Sequence, residues 1–144
     1  SPDGNHIGFT MLVDEKQSWS IDLPDRPEGA DWTAAPKIVT RLGYRRDRQG
    51  FTDTGYRHIF VVPSSGGTPR QITSGSYNHS SVEWTPDGRS ILFSGLREDD
   101  AEYQWRESHI YSVDVATREM RQVTDHHGPD SGPVVSPDGR RIWV

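Results

Sequence analysis

At 144 residues the chain is one domain's worth of polymer or part of a larger one, and 14 Gly, 10 Pro and an apolar fraction of 31% favour a turn-rich β protein over a helical bundle. Five Trp, five Tyr and four Phe argue against disorder, and the absence of Cys excludes disulfides and thiolate chemistry. A net charge of -5 with Arg scattered among acids gives no nucleic-acid footprint, and no apolar run approaches the roughly 20 residues of a membrane-spanning helix.

In chain order, SPDG (1–4) reads as a tight turn and HIGFTMLV (6–13) as the strand that leaves it. In that turn, Ser bonds back to the backbone, Pro presets φ, Asp tolerates the third position and Gly closes a bulged hairpin in the left-handed region. KQSWSIDLPDRPEGADWTAAP (16–36) reads as an irregular surface segment with Trp19 and Trp32 as packing anchors. PKIVTRLGYR (36–45) reads as a strand, and RDRQGFTDTGYR (46–57) as a polar loop held down by Phe51 and Tyr56. HIFVVPSSGGTPRQIT (58–73) is a strand, a turn and a short strand. A second turn, TPDG (85–88), runs into SILFSGL (90–96). LREDDAEYQWRES (96–108) reads as a short helix or a long hairpin tip. HIYSVDVATREMRQVT (109–124) follows, then a third turn, SPDG (136–139), and RIWV (141–144).

The stretches 58–73 and 109–124 align without a gap, and so do the second and third turns, all at an offset of 51 positions. His58 matches His109, Gln71 matches Gln122 and Thr73 matches Thr124. Each unit reads as four strands: one into the turn, one out of it, HI[FY]xV and RQ[IV]T. A four-strand repeat of this length is the signature of a β-propeller blade, which stacks face to face with its neighbours. The expected fold is therefore all-β, a partial β-propeller of about two to three four-stranded antiparallel blades in an open arc. Blade pieces lie at about 1–77, a complete blade at about 78–124, and the start of the next at 125–144. The chain reads as an excised arc of a larger ring; a compact β-sandwich with fortuitous repeats is the alternative.

Catalytic motifs are absent from the sequence. No G-x-S-x-G pentapeptide occurs, and no strand–helix context orders a Ser-His-Asp triad. Asp125-His126-His127 falls in an inter-blade loop, and adjacent histidines on a strand point to opposite faces, so no metal is expected. No phosphate-cradling or dinucleotide loop occurs, and no cofactor is expected. His58 and His109, at equivalent repeat positions, read as scaffold.

Two departures from the repeat remain. One is an insertion of about thirty residues ahead of His58, read either as a functional loop on a rigid scaffold or as cover for a sheet edge. The other is the acidic cluster Glu98, Asp99, Asp100 and Glu102 with Arg97 and Arg106 beside it. It reads either as a site for a cationic group such as a peptide α-amine or as a solvated loop with internal salt bridges.

WTPDGRSILFSGLRED (84–99), RHIFVVPSSGGTPRQIT (57–73) and HIYSVDVATREMRQVT (109–124) resemble the N-terminal propeller of prolyl oligopeptidase-family serine peptidases. PKIVTRLGYRRDRQGFTDTGYRHIFVV (36–62) and EYQWRES (102–108) resemble its acylaminoacyl-peptidase and dipeptidyl-aminopeptidase branch. The resemblance implies a non-catalytic propeller that gates access of short peptides to a partner α/β-hydrolase domain bearing a Ser-Asp-His triad. None of the triad positions lies in this chain. Acidic propeller residues anchor the substrate α-amine in the dipeptidyl branch, which makes Glu98 and Glu102 the candidate substrate-binding residues. Absence of Cys fits the cytoplasm and leaves a bacterial periplasm open. The PDG turn is shared with Tol-type propellers, so a protein-binding scaffold is the alternative function. An isolated arc, with unpaired edges and bare faces, is expected to self-associate.

Overall fold

The computed structural model describes residues 1–15, 24–31, 33, 38–52 and 54–144. Trp19 and Trp32, the expected packing anchors, lie outside the described residues. Among the described residues there is no helix. The strands form four small antiparallel sheets.

The first sheet joins β1 (His6–Val13), β4 (Tyr56–Pro63) and β5 (Arg70–Gln71) in that order. The second is the up-and-down sheet β6 (His79–Trp84), β7 (Ser90–Gly95), β8 (His109–Asp114) and β9 (Met120–Gln122). β10 (Val134–Val135) and β11 (Ile142–Trp143) form a hairpin after it. β2 (Arg45–Arg46) and β3 (Gly50–Phe51) form a separate hairpin inside the insertion.

The repeat is reproduced bond by bond. The Ile59 N–H donates to Thr73 Oγ1 at 3.0 Å, and the Ile110 N–H to Thr124 Oγ1 at 2.9 Å. Gln71 and Gln122 both donate through Nε2 to the carbonyl two residues on, at 2.7 and 2.8 Å. In the three PDG turns the glycine N–H closes on the Ser or Thr carbonyl, and Gly4, Gly88 and Gly139 take φ of 72, 68 and 70°. The hydroxyls of Ser1, Thr85 and Ser136 each donate to the Asp two residues on. Each also accepts the backbone N–H five residues on, from His6, Ser90 and Arg141. These bonds hold the Asp3, Asp87 and Asp138 carboxyls below the usual carboxylate range, Asp3 at about 2. Hydroxyl donation is the main cause in all three, followed by a backbone N–H.

The core lies between the first two sheets. Ile59, Val61 and Ile72 from one side meet Ile91, Phe93, Tyr111 and Val113 from the other. Full burial of each such side chain favours the folded state by about 1.5–3 kcal/mol. Gly8 lets side chains of the second sheet seat against the β1 backbone: a Cβ there would stand 3.0 Å from Val82 Cγ1 and 3.1 Å from Trp84 Nε1. On the opposite face of the second sheet Leu92, Ser94, Ile110 and Ser112 are also buried, and the Gly132 N–H donates to Ser94 Oγ there. The second sheet is thus covered on both faces, and the array is an open arc.

Of the strand expected over 36–45, residues 36 and 37 lie outside the described residues, Arg45 opens β2, and no strand forms between. Residues 38–44 are coil and turn, and Ile38 and Val39 are exposed with no strand beside them. β-branched residues make a strand only where a neighbour completes the ladder. The insertion instead folds on the β2–β3 hairpin, closed by Arg48 and Gly50 at φ of 65 and 82°. Phe51 is exposed and tilted against Tyr44 at 6.2 Å, whereas Tyr56 belongs to β4 and lies under the Arg41 guanidinium.

Candidate functional site

Up-and-down sheets send alternate connections to opposite ends. One rim holds only tight turns: the three PDG turns, 64–69 between β4 and β5, and 115–119 between β8 and β9. Among the described residues, the other holds the long connections: the described parts of 14–55 between β1 and β4, 72–78, 96–108 between β7 and β8, and 123–133. The two departures from the repeat, 14–55 and 96–108, are therefore the same connection in successive units and share one rim. They touch, since the Leu42 N–H donates to Glu102 Oε2 at 3.0 Å.

At the base of that rim lies a buried polar cluster. Arg97 donates from Nη1 to His79 Nε2 at 2.9 Å and to the Ser74 carbonyl at 3.0 Å, with its guanidinium over the Tyr77 ring. Arg has no acceptor, so His79 Nε2 accepts and its Nδ1 carries the proton. That N–H donates to Thr73 Oγ1 at 3.0 Å, which leaves the Thr73 hydroxyl proton to face His58 Nδ1 at 3.4 Å. Burial, then the charges of Arg97 and His58, depress His79 to about 3, so it is neutral at pH 7. His58 is lowered by the same first two causes. The cluster joins the first sheet, the second sheet and the 96–108 loop through one hydroxyl and one guanidinium.

Above it, 96–108 is a run of consecutive turns at the tip of the β7–β8 hairpin; of the two shapes expected, the helix does not form. Gln104 Nε2 donates to Glu98 Oε2 at 3.1 Å and to Asp100 Oδ1 at 2.7 Å. Glu98 and Glu102 thus stand on one loop with neutral donors. Among the described residues neither carries an ion pair. The internal salt bridges expected of a solvated loop do not form: Arg97 turns inward to His79 and Arg106 stacks on Trp105 at 4.4 Å. Tyr103 and Trp105 project into solvent at 75% and 76% exposure.

His126 and His127 diverge. His126 Nε2 meets Asp130 Oδ1 at 2.9 Å, whereas His127 Nδ1 lies 4.0 Å from Glu107 Oε1. Among the described residues no group of three metal-ligating side chains occurs. His58 and His109 are both buried, but only His58 joins a polar chain. A surface concavity of about 450 Å³, lined by Ser90, Ser112, Asp114, Glu119, Met120 and Arg121, lies away from the loop rim. Its Asp114 carboxylate accepts the Ala116 and Thr117 N–H groups rather than a serine hydroxyl.

Sequence reasoning missed Thr73, His79 and Arg97 as a unit. Thr73 was visible as a repeated letter. His79 carried no repeat signal, since Asp130 occupies its position 51 residues on.

Residues 28–144 match the family model for the dipeptidyl peptidase IV (DPP IV) N-terminal region. The chain belongs to that family. Among relatives of this DPP IV N-terminal chain, the uncharacterized protein Atu1656 of Agrobacterium fabrum is 30% identical over 99% of this chain and 39% of its own length. The uncharacterized peptidase YuxL of Bacillus subtilis is 32% identical over 69% of this chain and 15% of its own. The chain thus spans well under half the length of these relatives. The crystal structure of TolB from Acinetobacter baumannii superposes with a TM-score of 0.50 at 24% identity, covering 60% of this chain and 20% of that one. That likeness concerns the fold: the open arc of the DPP IV N-terminal chain is part of a β-propeller.

Proposed function

We propose that this chain is the non-catalytic propeller portion of a serine peptidase that hydrolyses short peptides of the acylaminoacyl or dipeptidyl type. In this reading its loop-bearing rim faces a partner α/β-hydrolase domain and gates the passage of substrate. The observation that carries it is the pairing of the two long connections on one rim, with Glu98 and Glu102 left without a cationic partner. A carboxylate held by neutral donors keeps its charge for an incoming ammonium, and such a charge-assisted bond is stronger than the neutral one it replaces. Family membership and the relative YuxL, a peptidase by name, support the same assignment.

The test compares binding of a short peptide with a free α-amine and its N-acetylated form. Preference for the free amine, lost in Glu98→Gln and Glu102→Gln, is the expected result. Equal binding of both peptides, or no effect of either substitution, removes the carboxylates from the reading. The second reading, a protein-binding scaffold, rests on the TolB-like fold; capture of a folded protein rather than a peptide by the same rim would favour it.

A further inference from the structure

Arg97 has four carboxylates within the next five residues, Glu98, Asp99, Asp100 and Glu102, and among the described residues it forms an ion pair with none of them. Its side chain turns the other way, down to the fully buried His79. Three neutral groups hold it there: His79 Nε2 at 2.9 Å, the Ser74 carbonyl at 3.0 Å and the face of the Tyr77 ring at 4.7 Å. Gly75 shapes the seat, since a Cβ there would stand 3.1 Å from the Tyr77 ring and 3.5 Å from Arg97 Nη2.

The cation and the adjacent carboxylate nonetheless stay near one another. Burial raises the Tyr111 phenol; beyond that, the Arg97 amide and charge pull it down and the Glu98 charge pushes it up, so both charges reach the same hydroxyl. The repeat shows what the acceptor could have been: 51 residues after His79 stands Asp130. A carboxylate would lock the guanidinium by charge, whereas a neutral imidazole holds it by hydrogen bonding alone. The other place for Arg97 is an exposed ion pair with its own loop, which contributes little. One side chain thus has two closely balanced positions.

We propose that Arg97 is a built-in competitor for the loop carboxylates and that His79 keeps it away from them. Inward, it leaves Glu98 open to an incoming ammonium; outward, its guanidinium takes the carboxylate and closes the site. This rests on the reading of Glu98 as an ammonium site and adds the regulation of that site: weakening the His79 acceptor lowers amine affinity through Arg97.

Two substitutions separate the acceptor from the rest of the imidazole. His79→Gln sets an amide oxygen where Nε2 was and keeps Arg97 inward. His79→Asn keeps a donor to Thr73 where Nδ1 was and removes the acceptor. With trialanine and N-acetyl-trialanine as probes, His79→Gln should retain the wild-type preference for the free amine. His79→Asn should cut it about two- to fivefold. The double variant His79→Asn/Arg97→Gln should restore it, which also shows that the Asn chain folds. An undiminished preference in His79→Asn, an equal loss in His79→Gln, or no restoration in the double variant overturns the proposal. A wild type with no preference removes the ammonium site instead, and the position of Arg97 is then read without peptide from its guanidinium 15N resonances. In His79→Asn these should respond to Glu98→Gln, and in the wild type they should not; no response in either chain overturns the competition itself.

Discussion

The two rims of the arc are built from the same strands but by opposite rules. The turn rim repeats: three PDG turns share one bonding scheme, with the hydroxyl donating to Asp and accepting from the chain five residues on. The loop rim diverges, holding the two long connections and a buried cluster in which His79 occupies one repeat and Asp130 the next. What is identical in every unit serves the scaffold, and what differs is free to serve a site.

The sharpest way to break that distinction is Thr73→Val. It leaves the Ile59 N–H and the His79 Nδ1–H without their acceptor, and a loss of about 2–4 kcal/mol in urea unfolding is expected. The repeat partner, Thr124→Val, strands only the Ile110 N–H and should lose about 1–2 kcal/mol. Equal losses would mean that the cluster adds nothing beyond the repeat.

Acid separates the rims next. His79 is depressed from 6.5 to about 3 in the folded chain, so the unfolded chain takes up that proton first. Its contribution is complete above pH 6.5 and falls away as the pH drops toward 3. The turn carboxylates act lower: Asp3, moved from 3.8 to about 2, holds its contribution until the pH falls below 4. Unfolding followed against pH should show two limbs; His58, also lowered by burial and Arg97, adds to the upper one, so His79→Gln should shrink that limb and leave the lower one unchanged.

Smaller effects come from the turns. Gly88→Ala and Gly139→Ala place a Cβ at φ of 68 and 70° and should each cost about 1–2 kcal/mol, nearly additively. Smallest of all is Trp105→Ala on the loop rim, where a side chain 76% exposed should change stability by less than about 0.5 kcal/mol.

Much of the scaffold could be read in the residues, because its determinants are local. Ser, Pro, Asp and Gly at fixed spacing dictate a turn wherever they occur, and alternating apolar residues dictate the strands beside it. The failures are non-local. Ile38 and Val39 read as a strand, but no ladder lies beside them. Arg97 and Arg106 read as cations for the adjacent acids. Arg97 instead turns inward to His79, where its guanidinium lies over the Tyr77 ring, and Arg106, itself exposed, lies over the exposed Trp105 ring. Glu98 and Glu102 were legible as a charge cluster, whereas the contact of Glu102 with the Leu42 amide needed the two insertions to be placed on one rim.

Hydrogen–deuterium exchange of the chain with and without a saturating free-amine peptide tests the division of the two rims most directly. Protection confined to 38–52 and 96–108, with 1–5, 85–89 and 136–141 unchanged, is the predicted result. Protection centred on the PDG turns, with the long loops unaffected, would contradict it.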